Sequence, residues 1–458
     1  MFINHEYIEK LIEKNKDVTK EDIQEVLNIA KNKRGLNHKQ IATLLNIEDD
    51  DQLNMLLNIS GDIKKEIYGN RVVVFAPLYV SNYCVNNCKY CGFRRDNKIA
   101  RTILTREEIQ AEVKILEKMG HKRLALEVGE DPVNCNIDYV LDAIDAIYST
   151  ENNNGAIRRI NVNIAATTTQ NYKKLKAASI GTYILFQETY HKPSYEFMHE
   201  KSLKGDYEYH LTAFDRAMEA NIDDVGGGVL FGLADYKFEV LALMLHNSHL
   251  EEKFGVGFHT ISVPRLKKAV GMDLDMFPNI IDDKTFTKIV AIIRLAVPYT
   301  GIILSTRETA QIRKKLLKYG VTQISAGSCT DVGGYESHEK GVTMSQFTLE
   351  DHRSPQDILK ELVKDKYIPS YCTACYRQGR TGDRFMKLAK SGEIHNVCTP
   401  NALMTLNEYI LDYGDDELKA IGEKFINEEI NKIPNQKIKD LVIKNIEQMK
   451  LGKRDLYI

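Results

Sequence analysis

Along the first seventy residues the apolar positions recur three or four apart. Leu11, Ile23, Val26 and Leu27, then Ile41, Leu44 and Leu45, sit at helical spacing between charged faces. This pattern predicts a helical extension over residues 1–70 that packs on the main domain. From Val72 the period changes. Short β-rich runs now alternate with charged amphipathic stretches. The runs are VVVFAPLYV at 72–80, RLALEV at 123–128, RINVNI at 159–164 and TYILFQ at 182–187. They continue with DVGGGVLFGL at 224–233, VGFHTISV at 256–263, GIILST at 301–306 and TQISAG at 322–327. Between them lie helix candidates such as REEIQAEVKILEKMG, TTQNYKKLKAAS and RETAQIRKKLLKYG.

Eight strands alternating with helices over residues 72–328 occupy 257 positions. A parallel barrel of eight βα units takes about 250. The expected fold is α/β, a (β/α)8 TIM-type barrel over residues 71–339, with a doubly wound open sheet as the alternative. Either way, ligands belong at the carboxyl ends of the strands. The triple glycine at 226–228 lies inside a strand run and is not a dinucleotide loop. Residues 340–458 read as a separate helix-rich C-terminal domain, reached through the Gly- and Ser-rich crossing loop AGSCTDVGGYESHEKGVTMSQF.

Charge changes the picture little. The 62 basic and 64 acidic residues are scattered, with no basic stripe for nucleic acid and no acidic arm. No apolar run approaches the roughly 18 residues of a membrane span, and the N-terminus lacks a signal-peptide core, so a cytoplasmic protein is expected.

Cysteine changes it a great deal. Eight cysteines are too few and too unevenly placed to be a disulfide framework for 458 residues. Six fall into two constellations, and Cys135 and Cys329 are expected to be buried structural thiols. Cys84, Cys88 and Cys91 follow the first strand at the spacing C-x3-C-x2-C. Three soft thiolates so placed can wrap a cubane iron–sulfur cluster and leave one iron without a protein ligand. Zinc would want a fourth ligand nearby, and none follows. Cys372, Cys375 and Cys398 form C-x2-C-x22-C. That spacing leaves two readings open, a second cubane with an open iron or a Cys3His zinc site completed by His395. His259, in FHTISVPRL, is by itself either a core histidine or a ligand. Ser305 and Arg307, in LSTRE, end the seventh strand run. There Arg307 can grip a carboxylate with two parallel hydrogen bonds, or the segment is a helix cap with a surface arginine.

The first cysteine loop, with aromatic Tyr90 before its last cysteine, resembles the radical S-adenosylmethionine (SAM) superfamily. The resemblance implies a 4Fe-4S cluster whose open iron chelates SAM. It places Gly129 and Glu130 at the SAM amino group, Glu188 at the ribose, and His210 or Arg216 at the SAM carboxylate. The second trio within CTACYRQGRTGD, together with FQETYH, GVLFGL, HTISVPRL and LSTRE, is similar to the radical SAM tyrosine lyases that mature FeFe hydrogenases. That likeness implies a second, auxiliary 4Fe-4S cluster on Cys372, Cys375 and Cys398, an additional iron bound by His259, and Ser305 and Arg307 at the catalytic site. It further implies L-tyrosine as substrate, cleaved to p-cresol and dehydroglycine, and carbon monoxide and cyanide as products. Expected partners are an electron donor such as ferredoxin or flavodoxin and the maturation proteins that receive an iron–CO–CN unit. The competing readings are a 2-iminoacetate (dehydroglycine) synthase of thiamin biosynthesis and a non-catalytic iron–sulfur scaffold.

Overall fold

The computed structural model of the chain describes residues 2–340 and 346–458. Eight parallel strands close on themselves: β1 (Arg71–Ser81), β2 (Arg123–Val128), β3 (Arg159–Asn163), β4 (Tyr183–Ile184), β5 (Val225–Gly228), β6 (Thr260–Ser262), β7 (Gly301–Leu304) and β8 (Gln323–Ser325). Closure comes from β8 pairing back onto β1, with Val73 opposite Gln323 and Phe75 opposite Ser325. The expected barrel is therefore present, and the open doubly wound sheet is excluded. Several strands are shorter than their apolar runs, because the runs continue into the loops that carry the site. In β5, Gly227 and Gly228 face rings of Phe258 and Phe186 that a Cβ would meet at 2.7 Å. The triple glycine thus makes room for aromatic packing.

A ninth strand, β9 (Ile368–Ser370), adds to the start of β1, with Arg71 opposite Ile368. The first strand consequently has three neighbours, and the C-terminal segment is stitched to the barrel at its amino end. Helix Ile394–Tyr413 lies over β9, and its buried Glu408 pairs with Arg158, just before β3. The expected crossing loop at 326–347 is partly helical, over Gly334–Lys340, and its residues 341–345 lie outside the described residues.

The N-terminal seventy residues form four helices, α1 (His5–Lys14), α2 (Lys20–Ala30), α3 (His38–Leu45) and α4 (Asp50–Tyr68). Asn4, Thr19, Asn37 and Asp49 cap them by accepting first-turn N–H groups. The apolar face of α4 packs on the barrel, where buried Lys64 donates to the carbonyl of Leu317 at 2.8 Å and Tyr68 to that of Tyr299 at 2.7 Å. No helix among the described residues is long and apolar enough to cross a membrane.

Candidate active site

At the carboxyl end of the strands the barrel holds a cavity of about 250 Å³. A barrel of this kind normally fills its interior with bulky branched side chains. Here inward positions carry Ala125, Asn161, Asn163, Ser262 and Ser325, which are too small or too polar to do so. Cys84, Cys88 and Cys91 form part of the wall, together with Tyr90, Gly129, Glu130, Glu188, Ser305 and Arg307. The structure thus gathers nine predicted residues from four loops.

The cysteine loop is fastened to its neighbours by backbone bonds. Val85 donates to the carbonyl of Glu130 at 2.8 Å, and Lys89 to that of Met198 at 3.2 Å. Gly129 is needed for this approach, since a Cβ there would stand 2.3 Å from the carbonyl oxygen of Tyr83. Burial pushes the Cys84 thiol up to about 11 and raises those of Cys88 and Cys91, and the neighbouring thiols add to it at Cys84 and Cys88. Three such groups become thiolates together only with a strongly cationic partner. The donor set therefore suits a bound iron–sulfur cluster.

Glu188 occupies the left-handed region at φ 66°, a strained setting for a non-glycine residue, just past β4. Its Oε1 accepts from Lys204 Nζ at 2.8 Å. Burial alone would lower the Lys204 ammonium, but Glu188 and the cysteines raise it. Glu130 accepts from the side-chain amide of Asn86. The ring of Tyr90 lines the cavity while its hydroxyl meets His199 Nε2 at 2.7 Å. Arg307 stacks 3.5 Å above the ring of Phe347. Glu127 also lines the cavity, accepting from Asn163 at 2.7 Å, and burial pushes its carboxyl up to about 8.

Two expected contacts are not brought to this wall. His210 places Nε2 at 3.0 Å from the carbonyl of Phe186, and burial lowers its ring to about 3. Arg216 donates to the carbonyls of Thr167 and Tyr209. Lys204 is a cation that does reach the cavity, as Lys267 also does. Lys204 and Glu127 were missed by sequence reasoning. Glu127 left a trace, one acid in the apolar run RLALEV, whereas Lys204 left none because its place depends on how the loop after β4 folds back.

The second trio lies at the opposite, amino end of the barrel, against the expectation that ligands gather only at the carboxyl end. Cys372 follows β9, and its carbonyl accepts from Arg123 Nη1 at 2.9 Å. His259, immediately before β6, meets the hydroxyl of Tyr376 at 3.0 Å, which places it beside the neighbour of Cys375. Burial lowers the His259 ring, and its Nδ1 has no hydrogen-bond partner. Buried Arg71 Nη2, Arg159 Nη1 and Thr373 Oγ1 are likewise unsatisfied. Buried polar atoms are rarely left so, and this group, with Cys372 and Cys375 alongside, fits an anionic multi-atom occupant. His395 does not turn to the trio, because its Nε2 lies 2.8 Å from the carbonyl of Glu66. Among the described residues no three Cys, His, Asp or Glu side chains converge as a single ion would require. A cluster takes each thiolate on a separate iron and spreads its ligands wider. Cys135 and Cys329 are both buried, with Cys135 Sγ 2.9 Å from Ser81 Oγ.

Comparison with known proteins agrees with this geometry. Residues 78–244 match the Radical SAM superfamily and residues 262–368 the Biotin and Thiamin Synthesis associated domain. A crystal structure of HydG, a maturase of the [FeFe]-hydrogenase, is 58% identical over 100% of both chains, with a TM-score of 0.97. The chain belongs to the HydG family. A second HydG structure, from Carboxydothermus hydrogenoformans, is 38% identical over 96% of this chain and 97% of that one, with a TM-score of 0.84. The 2-iminoacetate synthase of Salmonella typhimurium is 29% identical over 75% of this chain and 88% of its own. Membership in the HydG family makes the protein a radical SAM enzyme of hydrogenase maturation. The family implies a 4Fe-4S cluster and SAM as cofactors, with an electron donor and maturation proteins as partners.

The buried Glu127 carboxyl has a consequence for stability. Its folded value of about 8 lies above the ordinary glutamate value of about 4.3, so the folded chain keeps a proton that the unfolded chain loses in that window. Stability from this group is complete below about pH 4 and falls as pH rises toward 8, by roughly 5 kcal/mol. Glu127→Gln, which keeps an acceptor for Asn163, should flatten the loss. Urea midpoints at pH 5 and pH 8 measure it, and parallel changes in parent and variant would remove Glu127 as the source.

Proposed function

We propose that the protein cleaves the Cα–Cβ bond of L-tyrosine, releasing p-cresol and dehydroglycine, and converts dehydroglycine to carbon monoxide and cyanide for the hydrogenase active-site cluster. Support comes from an arrangement that a single-site lyase does not need: two cysteine trios at opposite ends of one barrel, the first opening into a cavity with an arginine in its wall.

Cys84, Cys88 and Cys91 would hold the first 4Fe-4S cluster, and Cys372, Cys375 and Cys398 an auxiliary one, with His259 as ligand to an additional iron. When bound, the first cluster and SAM supply one-electron cleavage of a carbon–sulfur bond and a carbon radical able to take hydrogen. The chain's own part is placement. Glu130 and Glu188 receive the amino group and ribose of SAM, while Lys204, beside Glu188, is a better placed cation for its carboxylate than His210 or Arg216. Arg307, stacked on Phe347 and so limited in its rotamers, grips the tyrosine carboxylate, and Ser305 adds a hydroxyl beside it. Glu127 holds or releases a proton near that end of the substrate. The enclosing barrel keeps radicals and diatomic products away from water.

The deciding experiment is anaerobic reconstitution with iron and sulfide, then addition of reductant, SAM and tyrosine. Both p-cresol and carbon monoxide are expected. Dehydroglycine without carbon monoxide would instead favour a 2-iminoacetate synthase, and bound iron without SAM turnover a scaffold.

A further inference from the structure

Residues 346–351 run along the cavity wall and touch both halves of the site. Three loops hold their backbone. Gln346 N donates to the carbonyl of Thr330 at 3.3 Å, Thr348 N to that of Lys268 at 3.1 Å, and Glu350 N to that of Thr306 at 3.0 Å. Those carbonyls belong to the loops after β8, β6 and β7. At the far end, buried Asp351 pairs with Arg313 and Arg353. Phe347 supplies the ring on which Arg307 stacks. Its neighbour Gln346 turns to the cysteine loop.

Gln346 meets that loop twice. Its carbonyl accepts from Gly92 N at 3.2 Å, and its Nε2 donates to Cys91 Sγ at 3.4 Å. The approach is close enough to require glycine, since a Cβ on Gly92 would stand 2.4 Å from the Gln346 carbonyl oxygen. The side-chain amide is held at its other end too, where the Tyr79 hydroxyl donates to Oε1 at 2.9 Å. Turning the amide over would set its oxygen against the sulfur, which repels it once that sulfur is a thiolate. The N–H therefore faces Cys91. Gln346 lies 255 positions from Cys91, so no spacing in the chain announces the contact.

We propose that Gln346 is a positioning residue whose N–H···S bond to Cys91 raises the reduction potential of the first iron–sulfur cluster. The inference rests on the reading of Cys91 as a ligand of that cluster. A cluster that takes up one electron becomes more negative, and its thiolate ligands accept hydrogen bonds more strongly. A donor aimed at one of them favours the reduced state. Tyr79 and the bonded backbone on either side hold this donor in place before the electron arrives, so little reorganisation opposes the gain.

The test uses the full chain carrying Cys372→Ser and Cys375→Ser, so that one cluster reports, after anaerobic reconstitution with iron and sulfide. The reduced fraction is followed by electron paramagnetic resonance against a mediated electrode potential, without SAM or tyrosine. Gln346→Met keeps the length of the side chain and removes the donor. It should make one-electron reduction about tenfold less favourable, a midpoint about 59 mV lower. Tyr79→Phe, which frees the amide to turn, should shift the midpoint the same way by less. A role in packing alone would move the melting temperature and leave the midpoint where it was. An equal or higher midpoint in Gln346→Met overturns the proposal. Where that variant takes up no iron, an unshifted Tyr79→Phe overturns it instead. A parent that forms no reducible cluster overturns the reading of the first trio, and this inference with it.

Discussion

Cys88→Ser should reduce 5′-deoxyadenosine formation from SAM to background, a loss of at least about a hundredfold, since even outer-shell partners of a metal site cost 10–100-fold. Cys88 is the most deeply buried member of the first trio, and burial raises its thiol above the ordinary value. A serine hydroxyl in that place is harder and far less acidic, and it cannot replace a soft thiolate. The fold should survive, because Cys88 lies in a loop after β1 and not in the packed layer of the barrel. Iron content, 5′-deoxyadenosine by chromatography and the circular dichroism spectrum together measure the effect. A folded variant that forms deoxyadenosine at the parent rate would remove the first trio from the chemistry.

The paired change Cys372→Ser and Cys375→Ser should separate the two halves of the proposed reaction. These residues sit at the amino end of the barrel, with Arg71, Arg123 and Arg159 around them, and share no wall with the substrate cavity. The iron–sulfur content should fall by about half, p-cresol should persist, and carbon monoxide should fall to background. His259→Ala should be milder in iron, leaving both cubanes and removing one metal, yet equally severe in infrared bands of iron-bound carbonyl and cyanide. Stoichiometric zinc in the parent, or unchanged carbon monoxide from the double variant, would overturn the auxiliary-cluster reading.

Some of this was legible in the chain because its causes are local. A barrel strand must be apolar at least on the face it turns to the surrounding helices, so each of the eight shows apolar residues in a short run, as in GIILST or at alternate positions in RINVNI. The first trio is local too, since one loop presents all three thiols, and its spacing alone suggests a cluster. The second trio was only half legible. Its spacing left zinc open, and what tells against it, His395 facing the carbonyl of Glu66, is a contact across 329 positions.

By itself, then, the sequence determined the eight strands, the helical character of the N-terminal extension and the six cysteines, because each is set by side-chain period or by spacing within one segment. Tertiary structure decided closure of β8 on β1, the attachment of β9 to the barrel's amino end, and the placing of the two trios at opposite ends. It also decided that Lys204 rather than His210 or Arg216 reaches the cavity, and that Glu127 becomes a high-pKa acid there. The physical reason is the same in each case. These features depend on which distant groups exclude water from one another, and on where a loop carries its side chain after the barrel has closed, and neither is written in the spacing of neighbouring residues.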